Sequence, residues 1–143
     1  DVATLRLGGL SAIGGLCRFM AHIAQSDAQQ TQEELGHYEK ALWFIEGNLS
    51  RNIQVTDIAD FVGLSRSQLF RVFRTACDQS PQQALLDARL RRAKALLNQD
   101  TLSIHEIALS SGFSGAAHLG EAFRRRYGMT PGAYRRRPEN PCE

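Results

Sequence analysis

A chain of 143 residues, 43% hydrophobic and 22% charged, has the composition of an ordinary soluble domain, with enough length for one sizeable core or two small ones in contact. Its net charge of +2 conceals an asymmetry: residues 1–65 hold four Lys/Arg against eight Asp/Glu, and residues 66–143 hold thirteen against seven, so the halves carry −4 and +6. This composition excludes a disordered chain, and the basic half invites a polyanion, the alternative being a solvated surface that happens to be basic.

From the N-terminus, the apolar run Leu5 to Ala24 is interrupted by Arg6, Arg18 and His22 and weakened by four glycines. It reads as a soluble helix within residues 1–24, not as a signal peptide or membrane span. Leu10, Ile13, Cys17, Met20 and Ile23 or Ala24 share a face, which either forms a dimer stripe or, the favoured alternative, is buried in a further domain. The chain opens at Asp1 instead of methionine and is expected to be an excerpt of a longer protein. Residues 25–36, "QSDAQQTQEELG", read as a polar linker to a domain over 37–137. Beyond it Leu42, Ile45, Leu49 and Ile53 have core spacing, and Trp43, Phe44 and Phe61 are assigned to the core with them. Cys17, Cys77 and Cys142 are odd in number, far apart and without C-x-x-C spacing, so neither a disulfide framework nor a zinc site is expected, and reduced cytosolic thiols are.

A repeat organises the rest. "VTDIADFVGLSRSQLFRVFRTACDQSP" (55–81) aligns with "IHEIALSSGFSGAAHLGEAFRRRYGMTP" (104–131): Ile58-Ala59 with Ile107-Ala108, Gly63 with Gly112, Ser65 with Ser114, then, after one inserted residue, Leu69 with Leu119 and Phe73 with Phe123. Each copy has a short apolar-patterned helix (Val55 to Val62, Ile104 to Ser111), a glycine suited to the left-handed conformation, a hydrophobic residue and a serine in N-cap position. Ser65-x-x-Gln68 and Ser103-x-x-Glu106 have capping-box form, and Ser80-Pro81 opens a further helix. A three-residue turn makes the helices cross steeply, as in a helix-turn-helix. Asp78 stands where the second copy has Gly128, so the first recognition helix is expected to end differently or with strain.

Between the copies, residues 82–99 form a helical pattern that spans about 25 Å at 1.5 Å per residue, a rigid spacer able to hold two motifs at a fixed offset. The expected fold is all-α: a first helix-turn-helix subdomain (37–81), a long linker helix (82–99), a second helix-turn-helix subdomain (100–137) and a tail (138–143), preceded by the N-terminal helical segment.

These residues resemble a known family. The first copy carries the pattern "IA...G.S...L.R.F", the linker helix "RLRRAKALL", and the second copy "IA...GF.......F....G.TP..YR". Together, over about residues 38–137, they are similar to the DNA-binding domain of AraC-type bacterial transcription regulators. The resemblance implies a cytoplasmic transcription factor, an activator in most members, that binds double-stranded DNA. It also implies a separate sensing or dimerising domain ahead of this one, whose closing helix residues 5–24 are similar to. RNA polymerase is a further candidate partner, and dimerisation is expected through the missing domain.

Helical angles select the readers. With Leu69 and Phe73 inward, Ser67, Arg71 and Arg74 point outward, flanked by Gln68 and Phe70. Arg71 has the fork for guanine O6 and N7, Gln68 the amide for adenine, and Phe70 the surface for a thymine methyl. The resemblance also implies Ser67, Phe70 and Arg71 as base contacts. Arg66 and Arg74 are assigned to phosphates. In the second copy Ala117, Glu121, Arg124 and Arg125 face outward with His118 and Gly120 at the margins. Ala117, His118 and Glu121 fall at base-contact positions, and Ser114, Arg124 and Arg125 at phosphates. Relatives often have polar readers and an arginine where this chain has alanine, glycine and Glu121, so direct readout here is expected to be poor. Glu121 either accepts from cytosine N4 or, as favoured, pairs with Arg125 one turn on. Arg126 falls near the core side, and Arg135, Arg136 and Arg137 either neutralise phosphates or form a solvated tail.

No histidine, carboxylate or cysteine grouping suggests catalysis, so no enzyme activity, catalytic residue, cofactor or metal is expected. The rival reading is a helical interaction module whose second motif contacts RNA polymerase or another regulator, in keeping with the stripped face of residues 115–121.

Overall fold

A computed structural model of the chain describes residues 28–137; the expected apolar helix within 1–24, its dimer stripe and the 138–143 tail lie outside the described residues. The chain divides into two compact units, Asp1–His37 and Tyr38–Glu143. Of the first, residues 28–37 are described and are helical. Among the described residues there are seven helices and no strand: α1 (residues 28–47), α2 (Val55–Val62), α3 (Arg66–Cys77), α4 (Pro81–Leu97), α5 (Ile104–Ser110), α6 (Ala116–Tyr127) and α7 (Pro131–Arg135). Residues 28–36, expected as a polar linker, are thus helical. Their alanine, glutamines and glutamates are good helix formers, and their polarity marked exposure to water instead of a lack of helix.

The helices begin and end where local chemistry dictates. Ser65 Oγ accepts from the Gln68 amide (3.2 Å) while Gln68 Oε1 accepts from the Ser65 amide (2.9 Å), and Ser103 and Glu106 repeat the exchange at 3.2 and 2.8 Å. Ser80 and Thr130 cap α4 and α7 by the side-chain half of that exchange alone, accepting from the amides of Gln83 and Ala133, and each is followed by a proline at the first helical position. Gly63 and Gly112 take φ of +80° and +83° at the corners of the two motifs. Asp78 does not end α3 differently. It adopts the same left-handed conformation as Gly128, φ 54° against 74°, each donating its amide to the carbonyl four residues back. It is the one non-glycine with positive φ among the described residues, a conformation that disfavours a residue with a Cβ relative to glycine.

Two cores share one helix. Ala41, Ile45 and Leu49 of the α1 stripe and its following loop meet Ile58 of α2 and Leu69 and Phe73 of α3 in the first. Ile107, Phe113, Leu119 and Phe123 build the second. Leu85 and Ala88 from the N-terminal half of α4 enter the first core, and Leu90, Ala93 and Leu97 from its C-terminal half enter the second. The helix read as a spacer is therefore also a shared wall, and residue-by-residue burial along it fixes each motif to the rod.

Two aromatics assigned to the core are on the surface. Trp43 is 72% and Phe61 47% exposed, stacked on each other at 5.8 Å, with Phe44 half-buried and 4.6 Å from the Phe61 ring. Position 43 is two residues from both Ala41 and Ile45, which turns it roughly 200° from the buried stripe. Helical angle overrode side-chain type.

Candidate nucleic-acid interface

The basic faces belong to the second helix of each motif. In α3, burial of Leu69, Val72 and Phe73 turns Arg66, Ser67, Gln68, Arg71 and Arg74 to solvent. Phe70 is half-buried, packs on the first core and lies 5.6 Å beneath the Arg66 guanidinium carbon, so these two side chains are held as a pair. Gln68 is not a free amide: its carbonyl oxygen is tied into the capping box, which leaves its NH₂ group to face outward.

In α6, Leu119 and Phe123 are buried, while Ala117, His118, Glu121, Arg124 and Arg125 are exposed. Arg125 Nη2 donates to Glu121 Oε1 at 2.7 Å, with the two side chains 80% and 65% exposed. Glu121 thereby spends its charge within the helix, as favoured from the sequence. Ser114 is not the N-cap of α6. The inserted residue moves that role to Gly115, which is extended and offers no side-chain cap, and the Ser114 hydroxyl lies 3.2 Å from His118 Nδ1. Gly120 sits in mid-helix with open space about it: a Cβ there would meet nothing within 4 Å.

The remaining arginines divide by partner. Arg126, placed near the core side by its angle, reaches across to Asp87 of α4 at 3.6 Å. Arg135 does not form a basic tail. It lies in α7, donates to the Leu102 carbonyl at 2.6 Å, faces Asp100 at 3.9 Å and is 23% exposed, which removes it from the candidate phosphate contacts. Arg136 turns its Nε to the Gly132 carbonyl (3.2 Å), whereas its neighbour Arg137 is exposed at the end of the described chain.

Two α4 glutamines escaped the sequence reading. Gln82 lines a groove of about 320 Å³ with Arg66 of α3, and Gln83 lines one of about 380 Å³ with His118 and Glu121 of α6. The first turn of the shared helix thus borders both recognition helices. Their place just after the Ser80-Pro81 cap was the available signal, and it was read only as a helix start.

Among the described residues no group of three His, Cys, Asp or Glu is placed to hold a metal ion, and no helix is long and apolar enough to cross a membrane.

Known proteins share this layout. The family profile described as a helix-turn-helix domain matches residues 58–137, more than half of the chain. The chain is 38% identical over 92 residues to the HTH-type transcriptional regulator ArgR of Pseudomonas aeruginosa, covering 64% of this chain and 28% of that protein. It is 31% identical over 121 residues to the Msm operon regulatory protein of Streptococcus mutans, covering 85% and 42%. It therefore spans less than half the length of these curated relatives. Among solved structures, a transcriptional regulator of Chromobacterium violaceum, described as having an AraC-type DNA-binding domain, superposes with a TM-score of 0.71 at 33% identity, covering 76% of this chain and 96% of that one. The DNA-binding domain of the global transcriptional factor AdpA, solved in complex with a target DNA, superposes with a TM-score of 0.64 at 32% identity, covering 69% and 88%.

Proposed function

The chain belongs to the AraC-type helix-turn-helix family, and from that membership we propose that it is the sequence-specific DNA-binding part of a bacterial transcription regulator, an activator as most members of that family are. The observation that carries the reading is the pairing of two helical corners on one shared rod, each turning the polar and basic face of its second helix to solvent. The similarity to a domain solved on its target DNA supports it further.

The two motifs divide the work. In the first, Ser67, Phe70 and Arg71 read bases, Gln68 assists through its NH₂ group, and Arg66 and Arg74 hold phosphates. In the second, Arg124 and Arg125 hold phosphates, with Ser114 and its partner His118 beside them. Ala117 and the bare Gly120 let the helix backbone sit close to the duplex, where Ala117 offers a methyl to thymine. The Glu121–Arg125 pair supports this asymmetry, because it withdraws Glu121 from cytosine.

Selection of preferred sites from random duplex, followed by titration across salt concentrations, tests the reading. An enriched sequence with stronger base dependence under the first motif, and affinity that falls with salt, is the expected result. Stronger base dependence under the second motif would reverse the division of labour. Binding that ignores salt would favour the other reading, a helical module that contacts RNA polymerase or another regulator, to which the exposed Trp43–Phe61 stack lends support.

A further inference from the structure

Arg89 lies midway along α4, between Ala88, which enters the first core, and Leu90, which enters the second. Its Nη2 donates to the carbonyl oxygens of Arg51 (3.3 Å) and Ile53 (3.2 Å), in the loop that leads into α2. Its Nε is buried, donates to nothing among the described residues, and lies against Gly112, the corner of the second motif. A Cβ on Gly112 would come within 2.8 Å of that nitrogen and would overlap the Leu49 carbonyl oxygen. One guanidinium is thus wedged between the lead-in of the first motif and the corner of the second.

The chemistry is poor for stability and good for orientation. Burial disfavours the charge on Arg89 and lowers its affinity for a proton. No ion pair offsets that cost among the described residues, and an apolar side chain of similar volume would avoid it. What an apolar chain lacks is a rigid planar guanidinium whose Nη2 donates to two carbonyls and so fixes the plane, and hence the surface it offers to Gly112.

We propose that Arg89 is a positioning residue that sets the angle between the two helix-turn-helix motifs and so the spacing of the half-sites that the chain accepts. The proposal rests on the DNA-binding reading above, and its test separates the two. Spin labels at Ser67→Cys and Ala117→Cys, in a chain with Cys17, Cys77 and Cys142 replaced by serine, report the distance between the recognition helices without DNA. One narrow distance distribution is expected for this parent, and Arg89→Met is expected to broaden it about twofold or more while far-UV circular dichroism keeps its helix signal. On a selected bipartite duplex, with no labels and the native residues at positions 67 and 117, inserting about five base pairs, half a turn, should weaken the wild-type chain about tenfold and Arg89→Met about threefold or less.

An unchanged distance distribution in Arg89→Met overturns the inference, as does an unchanged insertion penalty. If that variant loses its helix signal, Arg89→Lys, which keeps the charge but not the planar guanidinium, is read in its place. A parent-like result from it, or loss of helix in both, also overturns the inference. An unlabelled wild-type chain that binds no duplex would sink the DNA-binding reading, and the distance measurement would still decide the role of Arg89.

Discussion

Arg125 donates to Glu121 across one turn of α6 at 2.7 Å, on a face of the helix that otherwise presents methyls, glycine, His118 and arginines. A carboxylate beside a phosphate backbone repels it, and here it also occupies one of the two exposed arginines assigned to that backbone. As a surface i,i+4 pair it stabilises the helix by no more than about 0.5 kcal/mol. Glu121→Gln should therefore leave unfolding by urea almost unchanged. It should tighten binding to random and selected duplexes alike, and steepen the dependence of log K on log salt, as one more phosphate is neutralised. Fluorescence titrations at several salt concentrations measure both effects, and a gain confined to one sequence would show that Glu121 reads a base.

Arg71 and Arg124 occupy outward positions on α3 and α6 but are expected to fail in different ways. Arg71→Ala should cost about 1–3 kcal/mol on the selected site and flatten preference at one or two base pairs. Arg124→Ala should weaken all sequences equally and reduce the salt slope by about one. Competition titrations with single-base variants of the site distinguish the patterns; interchanged results would assign readout to the second motif.

Nothing among the described residues requires a glycine at position 120, where a Cβ would meet open space. A mid-helix glycine costs about 1 kcal/mol relative to alanine, so Gly120→Ala should raise stability by about that amount. If the helix backbone approaches the duplex closely, the same change should weaken binding, since the added methyl occupies the space the DNA would take. Thermal unfolding and duplex titration on one variant read the two signs. A variant both more stable and equally tight would show that the helix does not approach so closely.

What the sequence made legible was what acts locally or with helical period. Ser103 and Glu106 announced their exchange by spacing alone, Glu121 and Arg125 announced their pair by angle, and the repeated glycines marked both corners. Trp43 shows the limit of residue type: its aromatic character points inward, while its helical angle from Ala41 and Ile45 places it outside, where it is found. The one-residue insertion is visible in the alignment of the two copies, but which residue then caps α6 depends on the backbone of the turn, which places Gly115 there. Arg135 and Arg89 were beyond reach for another reason. Their partners, Leu102 for the first and Arg51, Ile53 and Gly112 for the second, are more than twenty residues away, and no periodic pattern encodes which loop a guanidinium will meet.

The Glu106 carboxyl is held below its ordinary value, first by the Ser103 amide it accepts from and then by the Ser103 side chain. A carboxylate whose folded value is depressed binds fewer protons when folded than when unfolded. Its contribution is therefore complete above the unfolded value of about 4.3 and is lost as pH falls through the lower folded value. Glu106→Gln keeps an acceptor for the cap but has no charge to lose. The variant should be less stable than the parent near neutrality, and the gap should close as pH drops below about 4. Urea unfolding of both chains across that range measures it, and a gap that stays constant would show that the charge contributes nothing.

Gly63 and Gly112 turn the same corner in the two copies with nearly the same φ, +80° and +83°, but in different surroundings. A Cβ at Gly63 meets nothing within 4 Å, whereas one at Gly112 would overlap the Leu49 carbonyl oxygen. Substitution by alanine imposes the left-handed conformation at both sites, a cost of about 1–2 kcal/mol. At Gly112 the methyl must also displace backbone of the first motif, and overpacking of that kind adds about 1–3 kcal/mol. Gly112→Ala should therefore lower the urea midpoint clearly more than Gly63→Ala, and only Gly112→Ala should disturb the fit between the two motifs. Equal losses would mean that the close approach at Leu49 relaxes at no cost, and that the second motif is less firmly seated on the first than its corner glycine implies.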